Sequence, residues 1–195
     1  MDILSFLAEN FDLPILDWIA ANMQCKLLDV LMPIITVLGD AGIFWIATAV
    51  VLMLFPKYRK AGISMGIALL IGLVLCNLTL KPLVARMRPY DYQFKYFGRT
   101  ISLLIATPHD YSFPSGHTIA SFEACSVLLI NSKLMGIPAV ILAILIAFSR
   151  MYLYVHYPTD VIFSVFAGIL FGIIGNLIAQ RIPLPKFGKK GKYQR

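Results

Sequence analysis

Five long apolar runs constrain this chain more than any other feature of its sequence. A helix needs about 20 apolar residues to cross the hydrocarbon core of a bilayer, and several of the runs approach that length. Each run is followed by a short basic or polar segment, which is typical of a loop between two spans. The runs therefore predict an all-α integral membrane protein. They cover residues 42–55, 61–80, 118–130, 134–148 and 161–180.

The composition excludes a water-soluble globule. Hydrophobic residues make up 59% of the 195 positions, charged residues only 14%, and the mean hydropathy is +0.79. Ordinary soluble domains contain roughly 25% charged residues. The three cysteines are too few and too scattered for a disulfide scaffold. The net charge of +7 comes from basic residues between the apolar runs, so nucleic acid is not expected as a partner.

The first forty residues carry a weaker apolar pattern. In residues 1–26, acidic side chains mix with Phe, Leu and Trp in a helical rhythm, which favours a helix in the membrane interface. A short apolar run over residues 27–38 would then form a first span that ends near Gly39 and Asp40. A soluble N-terminal arm is the alternative. The sequence thus predicts a six-transmembrane-helix bundle with an N-terminal interfacial helix, in one domain of residues 1–195.

The basic residues predict the orientation of this bundle. Six spans place loop 57–60, turn 131–133 and the basic tail 183–195 on one side. Cytoplasmic loops carry the excess of Lys and Arg, so we expect a multi-pass plasma-membrane protein with both termini in the cytoplasm. The opposite side nevertheless carries six cations, which favours either a long loop or an anion-binding site there. These are Lys81, Arg86, Arg88, Lys95, Arg99 and Arg150.

The first polar stretch on that outer side runs from Lys81 to Arg88 and Pro89. Seven residues make almost two helical turns, so a helix would place Lys81 and Arg88 on one face, about 10 Å apart along the axis. Two such cations can converge on one anion, and Pro89 would end the helix. Cationic side chains that extend from the membrane boundary to water are the alternative interpretation.

The second polar stretch is Pro-Ser-Gly-His at residues 114–117, directly before an apolar run. A turn that enters a helix offers backbone N–H groups and the positive end of the helix dipole to an anion. Gly116 lets the backbone approach a bound group closely, and His117 can exchange a proton near neutral pH. Ser115 as a simple helix cap is the alternative.

The third polar stretch contains Arg150, His156 and Asp160. Asp160 can accept the ring N–H of a nearby His156, fix its tautomer and leave the other nitrogen as a nucleophile. Capping of the following helix is the alternative role for Asp160. Two histidines and one aspartate are also possible zinc ligands, but three neighbouring cations would repel a metal ion, so no metal is expected.

Together the three stretches suit phosphoryl transfer through a covalent histidine. His156 would attack phosphorus, Asp160 would hold His156, and His117 would protonate the departing oxygen and later activate water. No metal is needed when cations already stabilise the charge on the phosphate. The cations are Lys81, Arg88 and Arg150.

The patterns Lys-x6-Arg-Pro, Pro-Ser-Gly-His and Ser-Arg-x5-His-x3-Asp resemble the three signature motifs of the type 2 phosphatidic acid phosphatase superfamily, position by position. The resemblance spans residues 81–160 and implies a six-helix membrane bundle with its active site at the outer face. It also implies His156 as the nucleophile and His117 as the acid and base. The phosphate ligands that it implies are Lys81, Arg88, Ser115, Gly116 and Arg150.

Members of the membrane branch act on several lipid phosphates, and we expect hydrolysis of undecaprenyl diphosphate to the monophosphate and inorganic phosphate, without a cofactor. Phosphatidylglycerophosphate or phosphatidate is the alternative substrate, and an anionic lipid transporter is the alternative class of protein. Besides the substrate and membrane lipids, no partner is indicated, and the sequence does not give the oligomeric state.

Several polar residues outside the motifs also have candidate roles. We interpret His109 and Asp110 as the rim of the site. Glu123 lies inside an apolar run, where an acid is unfavourable, and we favour packing against a neighbouring helix over pairing with a cation. Arg86, Lys95 and Arg99 would either hold a second phosphate or belong to a solvated loop.

Overall fold

The computed structural model describes residues 3–183, and every regular element among them is helical. Each of the five predicted apolar runs forms a helix, as expected. The elements in chain order are α1 Ile3–Leu7, a π-helical segment Ala8–Asp12, α2 Leu13–Met23, α3 Lys26–Val37, a 3-10 turn Asp40–Gly42, α4 Ile43–Leu54, α5 Arg59–Gly72, a second π-helical segment Leu73–Leu80, α6 Lys81–Val84, α7 Pro89–Phe97, α8 Gly116–Asn131, α9 Lys133–Tyr152 and α10 Pro158–Arg181.

The central bundle consists of α4, α5, α8, α9 and α10, which pack around one apolar core. Trp45, Met65 and Ile146 are buried in this core. Small residues let α10 approach its neighbours: a Cβ atom on Gly175 would lie 2.7 Å from the backbone oxygen of Ser64. Close packing of this kind is typical of helices in a membrane, where small residues form the contacts between helices.

The outward faces of the bundle are apolar, which is the pattern of a membrane protein. Leu54 and Phe166, for example, are each 70% exposed. Among residues 3–183, three helical segments are long and apolar enough to cross a membrane, namely Arg59–Phe97, Lys133–Tyr152 and Pro158–Arg181. The predicted class, an all-α integral membrane protein, is therefore confirmed.

Six separate spans are not found among residues 3–183. The predicted first span corresponds to α3, whose 12 residues extend only about 18 Å. Instead, Lys26–Val37 and Asp40–Leu54 together make one candidate span that is bent by 41°. Helix α8 has 16 residues and is about 24 Å long. The six-span prediction treated α3 and α4 as two crossings because Gly39 and Asp40 interrupt the apolar pattern.

The N-terminal helices α1 to α3 lie at the end of the bundle that carries the three motifs. The hydroxyl of Tyr92 donates to Glu9 over 2.7 Å, and that of Tyr154 donates to Asp17 over 2.9 Å. Leu16 of α2 is fully buried in the same cluster as Tyr154. The segment thus packs on α7 and on the loop that follows α9.

The short basic segments lie together at the opposite end of the bundle. Lys60, at the start of α5, donates to the backbone oxygen of Gln180 over 3.1 Å. Asn131 donates to Asn176 of α10 over 3.0 Å. The N-terminal helices and the end of α10 therefore lie at opposite ends, which differs from the prediction that both termini share one side. Of the predicted basic tail, residues 184–195 lie outside the described residues.

Candidate active site

The first motif is not one continuous helix, contrary to the expectation for residues 81–88. Helix α6 ends at Val84, and Ala85 adopts a left-handed conformation with φ 47°. Arg88 has an extended backbone and precedes α7, so Pro89 begins a helix rather than ending one. Proline is favoured in the first turn because its missing N–H would have no helical partner there.

Lys81 and Arg88 nevertheless converge, because both form ion pairs with the carboxylate of Asp110. The Nε atom of Arg88 also donates to the backbone oxygen of Asp110 over 2.8 Å, and its Nη1 donates to that of Val155 over 2.6 Å. Burial opposes the ionisation of Asp110, but the two cations outweigh it and hold the pKa of Asp110 well below its usual value. Asp110 is thus part of the site itself rather than of its rim.

The second motif forms the start of α8, as predicted. Ser115 is the N-cap residue and is fully buried, with no side-chain cap bond to the first turn among the described residues. Its backbone N–H donates to the hydroxyl of Ser164 over 2.9 Å. Gly116 leaves little room for a side chain, since a Cβ atom there would lie 3.0 Å from Oδ1 of Asn77.

The third motif places His156 in the loop between α9 and α10, as predicted. The loop folds back on Arg150, whose backbone oxygen accepts hydrogen bonds from the N–H groups of Val155 and His156. His156 is 1% exposed, and its Nε2 atom lies 3.4 Å from Nη1 of Arg88. Burial, together with the positive charges of Arg88, Arg150 and Lys81, holds the pKa of His156 well below its usual value, so its ring is neutral.

Of the two roles that the sequence allowed for Asp160, the structure contains the helix cap, and the contact with His156 is close but not a hydrogen bond. The Oδ2 atom of Asp160 accepts from the N–H of Tyr157 over 3.1 Å, which caps α10. The same atom lies 3.6 Å from Nδ1 of His156, which has no hydrogen-bond partner within residues 3–183. That distance is longer than a hydrogen bond, so the pair is adjacent but not joined in this conformation. Ser112 and Arg86 also bond to the Asp160 carboxylate.

One cavity of about 1120 Å³ brings the motifs together. Ser115 and Asp160 do not line the cavity, but they lie next to Gly116 and His156, which do. The opposite part of the cavity is apolar and runs between α4 and α5, past Val50 and Leu70. The motif residues that line the cavity are Lys81, Arg88, Gly116, His117, Arg150 and His156.

Three residues that contact the site, Thr36, Asp40 and Asp12, were not found from the sequence. Asp40 lies 2.7 Å from Nε2 of His117, and Thr36 accepts a hydrogen bond from Arg150. Asp12 and Asp160 share Arg86, which is buried and therefore not available to a second phosphate. The acids at positions 12 and 40 stand in apolar surroundings, which is a signal of function in a membrane protein.

Two other interpretations are resolved by the described contacts. Arg99 pairs with Asp17 over 2.8 Å, on the outside of the site. Glu123 packs against Gly72 of α5, where a Cβ atom would lie 2.1 Å from its Oε1 atom. This Oε1 atom has no hydrogen-bond partner among residues 3–183, which agrees with the packing interpretation.

The fold and the site together define a helical membrane protein in which two histidines face three cations in one buried cavity. The family model of the PAP2 superfamily matches residues 58–183. The chain belongs to this superfamily, as the three motifs indicated. All motif residues fall inside the matched region, whereas α1 to α4 precede it.

Similar proteins carry related names. The undecaprenyl-diphosphatase of Sulfolobus acidocaldarius is 36% identical over 143 residues, which are 73% of this chain and 66% of that protein. The undecaprenyl-diphosphatase BcrC of Bacillus subtilis is 30% identical over 149 residues, 76% of this chain and 74% of that protein. The chain thus spans about two thirds to three quarters of these relatives.

Two solved structures share the fold. LpxE of Aquifex aeolicus superimposes with a TM-score of 0.72 at 28% identity, over 86% of this chain and 96% of that chain. A PAP2-type phosphatidylglycerolphosphate phosphatase of Bacillus subtilis gives a TM-score of 0.71 at 22% identity, over 94% of this chain and 89% of that chain. The second likeness concerns the fold alone.

Proposed function

We propose that this protein is a membrane lipid phosphatase that hydrolyses an isoprenoid diphosphate, most simply undecaprenyl diphosphate, to the monophosphate and inorganic phosphate. The observation that carries the proposal is that one cavity contains both the motif side chains and an apolar groove. The polar part of this cavity holds His117, His156 and three cations, and its apolar part between α4 and α5 suits a lipid chain. Two relatives, 36% and 30% identical to this chain, are named undecaprenyl-diphosphatases.

The first chemical step is attack on the terminal phosphorus by Nε2 of His156. The neutral ring supplies the electron pair, the new bond is P–N, and the bond from phosphorus to the bridging oxygen breaks. His117 gives its proton to that oxygen, and the lipid monophosphate leaves. Asp160 would accept the Nδ1–H of His156 after a small movement of the ring from its distance of 3.6 Å.

The second step releases phosphate and restores the enzyme. His117 takes a proton from a water molecule, the water oxygen attacks phosphorus, and the P–N bond breaks. Lys81, Arg88 and Arg150 stabilise the charge on the phosphate oxygens in both steps, which is the role that a metal ion has in other phosphatases. Because Lys81 and Arg88 pair with Asp110, the substrate must first displace this carboxylate.

We also propose the topology and the side of the site. The bent pair α3 and α4 would cross once, and α5, α8, α9 and α10 would cross once each, which gives five crossings instead of six. Basic residues 57–60, Lys133 and Arg181 at one end favour the cytoplasm for that end. The motifs and the N-terminal helices would then face the outside of the plasma membrane, where undecaprenyl diphosphate is released.

The test is phosphate release from undecaprenyl diphosphate by the purified protein in detergent with EDTA. We expect turnover in EDTA, loss of it in His156→Ala, and unchanged turnover in His109→Ala as the matched control. Turnover by His156→Ala would remove the histidine nucleophile. Dependence on an added divalent metal would contradict the metal-independent mechanism.

The same assay separates the alternatives. Faster hydrolysis of phosphatidate or phosphatidylglycerophosphate than of the diphosphate would favour the alternative substrates. Movement of an anionic lipid across vesicles without phosphate release would instead indicate a transporter. A transporter would need the three cations to bind the lipid, but it would not need His117 as an acid and base or His156 as a nucleophile.

A further inference from the structure

Asp12 is a fully buried acid that precedes every motif and lies outside the region matched by the superfamily. It is the last residue of the π-helical segment Ala8–Asp12. Such π turns are rare and often occur at functional sites. Asp12 Oδ1 accepts the backbone N–H of Thr159 over 2.9 Å, and its Oδ2 accepts the hydroxyl of Thr159 over 2.8 Å. The N-terminal helix is thereby fixed to the first turn of α10.

Arg86 joins Asp12 to Asp160. Its Nη2 atom donates to Oδ2 of Asp12 over 2.7 Å, and its Nη1 atom forms an ion pair with Asp160. The guanidinium also lies 3.8 Å from the centre of the Tyr157 ring, so it is held by stacking as well. Arg86 is 6% exposed, and each partner carboxylate is 0% exposed.

The charges of this cluster do not cancel. When both carboxylates are ionised, they outnumber the one guanidinium that they contact, and one net negative charge remains beside Nδ1 of His156. On its other side, Nε2 of His156 faces Arg88. Attack on phosphorus places positive charge on the imidazole, and a buried negative charge next to it lowers the energy of that state.

We propose that Asp12 and Arg86 are positioning residues for Asp160, and that Asp12 supplies the negative charge that stabilises the ring of His156 during phosphoryl transfer. This inference rests on the proposed function. Arg86 holds Asp160 in place and balances its charge, and Asp12 balances Arg86. The π-helical segment that ends at Asp12 therefore contributes to the reaction and does not only attach the chain to the membrane.

The decisive variant is Asp12→Asn, which keeps the size of the side chain and removes its charge. Asp17→Asn is the matched control. Asp17 lies on α2, which directly follows Asp12, and its substitution also removes an ion pair with Arg99 and a hydrogen bond from Tyr154. The measurement is single-turnover phosphorylation of His156 with undecaprenyl diphosphate that is radiolabelled in its terminal phosphate. Steady-state KM and thermal melting are followed in parallel.

We expect Asp12→Asn to slow phosphorylation about tenfold or more, with KM within about twofold of the wild type. Asp17→Asn should phosphorylate at the wild-type rate although its melting temperature falls. Equal rates for the two variants would overturn the proposal, because they would reduce Asp12 to a structural contact. A loss confined to KM would do the same.

Asp12→Glu decides the matter if Asp12→Asn does not fold. The longer acid keeps the charge, so a folded Asp12→Glu must phosphorylate within about threefold of the wild type. A tenfold loss in this variant would contradict the charge argument. Failure of the proposed function has a different signature: the wild-type protein itself would then release no phosphate from undecaprenyl diphosphate.

Discussion

Nε2 of His117 lies 2.7 Å from Oδ1 of Asp40, so the second motif is bound to a residue 77 positions earlier in the chain. Gly39 makes this contact possible, because a Cβ atom there would lie 2.7 Å from the ring of His117. The site therefore has two pairs of histidine and aspartate, of which the sequence motifs contain one. Burial and the neighbouring Arg150 disfavour the protonated form that His117 needs to act as the acid, and the carboxylate of Asp40 opposes both effects.

Asp40→Asn should therefore lower kcat, by about tenfold or more, with a smaller effect on KM. The amide keeps a hydrogen bond to His117 but no longer stabilises its positive charge. Turnover of undecaprenyl diphosphate is the measurement, and Asp91→Asn on the exposed side of α7 is the control. An unchanged kcat in Asp40→Asn would show that the pair is not used in the reaction.

Asp110→Asn should tighten the binding of inorganic phosphate about two- to tenfold. In the wild type, phosphate competes with the Asp110 carboxylate for Lys81 and Arg88, whereas an amide is a weaker competitor. Product inhibition of the phosphatase reaction gives the binding constant. Weaker binding in this variant would instead mean that Asp110 holds the two cations in their binding positions.

His156 should make the folded protein less stable in mild acid. Its folded pKa lies below the unfolded value of about 6.5, so the unfolded state binds more protons as the pH falls below 6.5, and stability decreases there. The melting temperature in detergent should fall between about pH 6.5 and 5, and the fall should be smaller in His156→Asn. Equal falls in both proteins would contradict the buried neutral ring.

The native cysteines test the side of the N-terminal helices without any substitution. Cys25, between α2 and α3, is exposed, whereas Cys76 and Cys125 are buried. With five crossings, a membrane-impermeant maleimide added to intact cells should label Cys25, and Cys25→Ser should remove the label. Labelling only after the cells are opened would restore the six-span arrangement with a cytoplasmic N-terminus.

The motif residues could be identified from the sequence because each motif is short. Within the motif of Arg150, His156 and Asp160, six residues or fewer separate successive members, and a helix end or loop of that length keeps them close. Spacing failed over residues 81–88, where Ala85 leaves the helix. The left-handed conformation of Ala85 has no local signal, because alanine ordinarily favours the right-handed helix.

The bend between α3 and α4 could not be read from hydropathy either. Gly39 and Asp40 look like the loop between two spans, yet the two helices that they join are related by a bend of only 41°. Asp40 is held by His117, and Thr36 by Arg150. These contacts with α8 and α9 determine where α3 lies, and they join residues 77 and 114 positions apart.

The sequence by itself determined the helical membrane class and the three family motifs, since apolar length and short-range spacing depend on neighbouring residues. Only the tertiary structure decided which acids serve them. Asp12, Asp40 and Asp110 are ordinary single aspartates in the sequence, and their partners Arg86, His117 and Lys81 lie 74, 77 and 29 positions away. Pairing over such separations is set by helix packing, which brings together charges that burial does not allow to remain alone.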